Sequence, residues 1–194
     1  MSRFRQVNGR EFDLAAPDPE AISPEMIAHA LAMICRYGGH VPSHYSVAQH
    51  SVEVARLLPR PLQLAGLLHD AHEGLGIGDI IGPAKALLKP AIKEVEARVD
   101  RAVAERFGLQ FSELRAPPVK RADLILLRTE QRDLRGFGPH LGEGDGVDGL
   151  ERRLRPWRAA RARRAWLAMF YDLTRTGERA PLALRIARRI PWMA

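Results

Sequence analysis

The chain has 194 residues, of which 46% are hydrophobic, and its 30 Lys and Arg outnumber its 23 Asp and Glu to give a net charge of +7. That apolar share can build one single-domain core without help from disulfides or partners. No uninterrupted run of about 18 apolar residues is present, Met1 to Arg5 lacks an apolar signal core, and the lone Cys35 has no intrachain partner; these features argue against a membrane protein or an oxidising compartment, and the expectation is a cytoplasmic protein with Cys35 as a buried thiol.

In chain order, Asn8-Gly9 between two short apolar-containing runs, Phe4 to Val7 and Arg10 to Phe12, predicts a β-hairpin with a type I′ turn, followed by a loop to residue 22. Ser23-Pro24-Glu25 supplies an N-cap and a first-turn proline for a helix ending near Gly38-Gly39, with Met26, Ile27, Ala30, Met33 and Ile34 on its buried face. A second helix covers 46–58 and stops at Pro59-Arg60-Pro61; a third, about 62–74, is apolar on nearly every side and reads as the central helix. A Gly-containing turn and a short piece at 83–88 lead to a long amphipathic helix from Pro90 to Phe107-Gly108, then to one from Pro117-Pro118 to about Leu134. Six of the fourteen residues in 136–149 are Gly, which marks a mobile loop. A last helix, roughly 150–175, carries Ala159, Ala162, Trp166, Met169, Phe170 and Leu173 at spacings of three and four, a core stripe, and the tail from 181 is basic. The fold class is all-α with a small N-terminal hairpin.

The chemistry is concentrated in Leu67-Leu68-His69-Asp70-Ala71-His72-Glu73, where ionisable groups sit inside an apolar helix and are costly to bury unless paired or metal-bound. Helical spacing places Glu73 one turn beyond His69 and Asp70, facing a common cleft. One helix cannot complete a metal shell; His50 and Asp123, each on its own predicted helix, can add to it. Two imidazoles and two carboxylates suit one divalent transition metal, such as Mn, Co, Fe, Ni or Zn, with open positions for water and a phosphoryl oxygen. The absence of a Cys cluster argues against a closed structural zinc site.

The order His50, His69-Asp70, Asp123 resembles the signature of the HD-domain metal-dependent phosphohydrolases. The flanks Arg36-Tyr37-Gly38-Gly39-His40, Tyr45-Ser46-Val47-Ala48-Gln49-His50-Ser51 and Gly78-Asp79-Ile80-Ile81-Gly82-Pro83-Ala84-Lys85 are similar to the branch of YfbR-like 5′-deoxynucleotidases and their phage-associated relatives. The resemblance runs from the hairpin to about residue 135. It implies an HD helical bundle with its core in 23–135, a metal held by His50, His69, Asp70 and Asp123, and Glu73 and Asp79 for proton transfer and water positioning. It also implies that Arg36 and Lys85 contact the substrate phosphate. Tyr37 stands where the deoxynucleotidases carry Trp against the sugar. His72 is expected to line the site rather than to bind metal, and His40 and His44 to lie in the loop before it.

The expected activity is removal of phosphate from small deoxynucleotides, 5′-deoxynucleoside monophosphates first, with triphosphate hydrolysis of the dATP type as the alternative. Arg152, Arg153, Arg155, Arg158, Arg161, Arg163 and Arg164 raise a third reading, a non-catalytic nucleic-acid adaptor, although a solvated helix face is the simpler account. Homodimers are common in the resembling branch, and the Trp-bearing C-terminal segment could contribute to one.

Overall fold

A computed structural model of the chain describes residues 2–135 and 147–174. Most of the Gly-rich loop, with His140, and the basic tail lie outside the described residues. The rest is mostly helical, seven α-helices with one two-stranded antiparallel sheet among the described residues.

Strands β1 (Arg3–Arg5) and β2 (Glu11–Asp13) pair with Phe4 opposite Phe12, and the two rings meet edge to face at 5.8 Å. Helix α1 (Pro24–Met33) is capped by Ser23, whose hydroxyl accepts from Met26 N. It ends a full turn before the expected glycines, because Ile34 and Cys35 are extended and Cys35 bridges Ser46. Met33 is consequently 63% exposed, and Cys35 is only half-buried. The glycines instead shape a tight turn after Arg36: Tyr37, Gly38 and Gly39 lie consecutively in the left-handed region, with φ of 60°, 59° and 82°. A tyrosine there is strained and needs its surroundings to hold it.

Helix α2 (Val47–Arg56) is buried from Val47 to Ala55, and it takes the central place expected for the third helix. It contributes Val47 and Val52 to one apolar cluster, with Ile27, Leu67 and Trp166, and Val54 to a second, with Tyr45 and Leu126. Each fully buried side chain of this kind contributes about 1.5–3 kcal/mol, so α2 is clamped from both sides. Helix α3 (Arg60–Leu68) packs on α2 through Gly66, where a Cβ would stand 2.4 Å from Leu58 Cδ1 and 3.3 Å from Ala55 Cα. The expected helix to 74 is broken: α3 stops at Leu68, and a π-type turn follows over Glu73–Ile77.

Helices α4 (Gly82–Leu87), α5 (Ala91–Phe107) and α6 (Pro117–Glu130) lie close to their expected places, α5 closing on Gly108 at φ 70°. Beyond α6 the chain continues in a second π-type turn, Gln131–Arg135. Helix α7 spans Ala159–Thr174 and packs on α1, α2 and α3 through Ala162, Trp166 and Phe170. It starts nine residues later than 150. Pro156 removes a backbone donor and disfavours a helical Arg155, and the segment is pinned instead by buried Gln49, whose amide donates to Arg155 O at 2.9 Å and accepts from Trp157 N at 2.7 Å.

Candidate metal centre

The four expected ligands come from three places in the chain. His50 is on the centre of α2 and fully buried; His69 and Asp70 come directly after the last residue of α3; Asp123 lies midway along α6. Donor atoms of His50, His69 and Asp123 fall within 4.8 Å of one another. His50 Nε2 faces Asp123 Oδ1 at 3.3 Å and Asp70 Oδ2 at 3.6 Å, and His69 Nε2 faces Asp70 Oδ2 at 3.2 Å. Ligands about 2.0–2.2 Å from one cation lie about 3 Å apart, so these separations suit a shared ion.

The imidazoles are oriented for that role. His50 Nδ1 meets Glu130 Oε1 at 2.6 Å, and His69 Nδ1 meets the Gly66 carbonyl at 2.8 Å. Both Nε2 atoms are buried with no aligned hydrogen-bond partner. A buried polar atom left without a partner is costly, whereas a histidine that donates from one ring nitrogen and presents the other is the usual arrangement of a metal ligand. The four residues therefore fit a divalent ion.

Charge in the site is tightly balanced. Burial and the Arg36 guanidinium oppose a charge on His50, but the Glu130 and Asp123 carboxylates override them and hold its pKa up at about 9. Burial would raise Asp70 and Asp123; the imidazoles beside them, His69 foremost for Asp70 and His50 for Asp123, keep both carboxyls well below the usual range. At Glu73, burial together with the neighbouring Asp70 outweighs Arg36 and His72 and pushes the carboxyl up to about 8. A cation entering the site would replace protons on imidazole.

Arg36 is 8% exposed, and its charge is directed at carboxylates: Nε lies 3.1 Å from Glu130 Oε2 and Nη1 lies 3.7 Å from Asp70 Oδ2. Tyr37 donates its hydroxyl to Glu130 at 2.8 Å, which fastens the left-handed turn. Asp79 accepts from Gly38 N at 3.4 Å, joining the same turn to the chain beyond Glu73. Lys85 is half-buried and pairs with Glu96 at 2.8 Å. His72 donates from Nδ1 to Asp100 at 2.9 Å. His40 and His44 are exposed, and His44 meets the Ala32 carbonyl.

Three residues escaped the sequence reading. Glu130 holds His50, Arg36 and Tyr37 together while itself fully buried; its spacing of seven residues from Asp123, two helical turns, was the available signal. Glu96 and Asp100, one turn apart on α5, hold Lys85 and His72, and only their contacts reveal it.

The arginine-rich stretch is different in kind. Arg152 pairs with Glu53, Arg153 lies 3.4 Å from Asp133, and Arg56 and Arg161 lie over the ring of Trp157 at 5.4 and 4.7 Å. No described helix is long and apolar enough to cross a membrane.

No family model matches the chain. It is 40% identical over 134 residues to the uncharacterized protein YfdR of Escherichia coli, covering 69% of this chain and 73% of that protein. To the uncharacterized protein RCAP_rcc00048 of Rhodobacter capsulatus it is 38% identical over 191 aligned positions, covering 89% of this chain and 95% of that protein. Neither name states an activity. Identity at that level across most of both partners is more than a shared helical architecture requires, and the chain belongs to the family that contains YfdR and RCAP_rcc00048.

Proposed function

We propose that the protein is a divalent-metal-dependent phosphohydrolase acting on small deoxynucleotides, with 5′-deoxynucleoside monophosphates as the leading substrates. The observation that carries the reading is the convergence of the buried Nε2 atoms of His50 and His69, neither in an aligned hydrogen bond, with Asp70 and Asp123 beside a buried arginine. The resemblance to HD-domain phosphohydrolases of the YfbR-like branch supplies the reaction class. When bound, the ion would polarise a phosphoryl oxygen and lower the pKa of water, the chemistry that phosphate ester hydrolysis needs near neutral pH.

The protein's own residues have separate tasks in this reading. His50, His69, Asp70 and Asp123 hold the ion, and Glu130 and the Gly66 carbonyl orient the two imidazoles. Glu73, next to Asp70 and with one buried oxygen free of hydrogen bonds, is the proton-transfer group. Asp79 positions water near the Gly38 turn. Arg36 and Lys85 offset phosphate charge, each exchanging part of its pairing with Glu130, Asp70 or Glu96 for the substrate.

Phosphate release measured across deoxynucleoside monophosphates, ribonucleoside monophosphates and deoxynucleoside triphosphates, with Mn, Co, Fe, Ni and Zn in turn, tests this. Inorganic phosphate and a deoxynucleoside as products are expected. Fragments longer than monophosphate would transfer the assignment to triphosphate hydrolysis, and no release with any of these metals would reject a phosphohydrolase. The adaptor reading is weaker, because Arg152 and Arg153 are engaged with acids of their own chain.

A further inference from the structure

His72, beside Asp70, repeats the arrangement that marks His50 as a ligand. Its Nδ1 is held by a buried carboxylate, Asp100 Oδ1 at 2.9 Å, and Asp100 is itself anchored through Oδ2 by Arg115 at 2.7 Å. Its Nε2 is buried with no aligned partner, and the Glu96 Oε1 carboxylate oxygen stands 3.9 Å away. Glu73 Oε2, on a side chain only 5% exposed, also has no partner. Donor atoms of Asp70, His72 and Glu73 lie within 4.8 Å of one another. Asp70 directs Oδ2 at His50 and His69, and a carboxylate has a second oxygen to offer.

We infer that Asp70, His72 and Glu73 form a second divalent-cation site, joined to the first through the shared carboxylate of Asp70. A lining histidine needs one hydrogen bond and a packed ring, and leaving its other nitrogen buried and unmatched serves no packing purpose. An imidazole fixed through Nδ1 by an anchored carboxylate has its lone pair on Nε2 and its ring orientation set, as a ligand requires. One nitrogen and two carboxylate oxygens suit Mn or another divalent ion of intermediate hardness. Glu96 borders the site and brings Lys85 with it, so the positive charge next to the second ion is already balanced by a carboxylate. The inference rests on the metal-centre reading above and changes one role within it: with the second ion bound, Glu73 is a ligand, and proton transfer falls to Asp79.

The test is the manganese stoichiometry of the full chain after dialysis against Mn, read by elemental analysis, together with its electron paramagnetic resonance spectrum. Two Mn per chain with an exchange-coupled signal are expected, falling to one uncoupled Mn in His72→Ala. Because His72 is buried in an ion-pair network and its removal could unfold the chain, Glu73→Gln provides a second, isosteric variant with the same expected loss of one Mn. His69→Ala should remove the first ion instead. One Mn in the wild type, unchanged by His72→Ala and Glu73→Gln, overturns the second site and leaves the first intact. Two Mn that survive both substitutions overturn it as well, since the extra ion then binds elsewhere. No bound Mn in the wild type defeats both readings.

Discussion

Two regions of this molecule are dense in charge, and they have opposite characters. Around His50 and His69, charged groups are buried and several of their polar atoms lack partners. Along 152–164, the cations are largely exposed, and those with described contacts are matched within the chain: Arg152 by Glu53, Arg153 by Asp133, and Arg161 by the face of Trp157. Pairs of the second kind keep the cation in water even where its acid, Glu53 or Asp133, is buried, and they leave neither charge without a partner. Buried atoms of the first kind carry a desolvation penalty of about 1–3 kcal/mol each until something binds them. A functional site is thus marked less by charge density than by buried valence left open.

The sharpest way to break this contrast is to remove a donor from the open cluster. His69→Ala or Asp70→Ala should cut phosphate release by roughly a thousandfold or more, since the polarising ion supplies several kcal/mol to the chemical step, while circular dichroism still reports a helical fold. Full activity in either folded variant would remove the metal mechanism. Glu130→Gln should act through His50: a carboxylate holding a ligand imidazole is worth about 10–100-fold in metal affinity, and titration calorimetry with Mn should find a loss in that range. A third change lies outside both charged regions. Gly66→Ala forces a methyl against Ala55 Cα and Leu58, and overpacking of this kind costs about 1–3 kcal/mol. The melting temperature should fall by about 3–10 °C, and because the Gly66 carbonyl holds His69, Mn affinity should fall with it.

The parts of the site that could be read in the sequence were those governed by local rules. Ser23 and Ser46 cap α1 and α2 as their side chains allow, and His69-Asp70 is conspicuous because the preceding Leu67-Leu68 is so apolar; Asn8-Gly9 marks the hairpin, but not as the expected type I′ turn, since only Gly9 is left-handed (φ 84°) and the turn closes from Gly9 N to Gln6 O. What periodicity missed was set at long range. Helical spacing continues smoothly through His69 and on to Glu73, yet α3 stops at Leu68 and the backbone loosens into a π turn, so the motif sits at the end of a helix rather than in its middle. The central position of α2 comes from being packed on both faces, and a sequence window with polar Gln49, His50, Ser51 and Glu53 does not advertise it. Gln49 is buried to bracket Pro156, more than a hundred residues away. Glu130 offered only its two-turn spacing from Asp123, for a related reason: its three donors come from residues 36, 37 and 50, and a single carboxylate at the end of α6 resembles any solvated acid until those segments meet.

The smallest expected effect tests the other half of the comparison. Arg155, Arg158 and Arg164 are exposed, and substitutions of this kind usually stay within about 0.5 kcal/mol each. The triple variant Arg155→Ala, Arg158→Ala, Arg164→Ala lowers the net charge from +7 to +4 and leaves the pairs of Arg152 and Arg153 in place. It should melt within a few degrees of the wild type and hydrolyse deoxynucleoside monophosphates at an unchanged rate. A nucleotide guided to the cleft by the general positive field would instead show a slower kcat/KM at low salt that converges with the wild type as salt rises, because screening removes such steering. That convergence would tie the two regions together, one gathering the anion that the other consumes; its absence would leave the arginines as a solvated face whose sequence prominence has no counterpart in the chemistry.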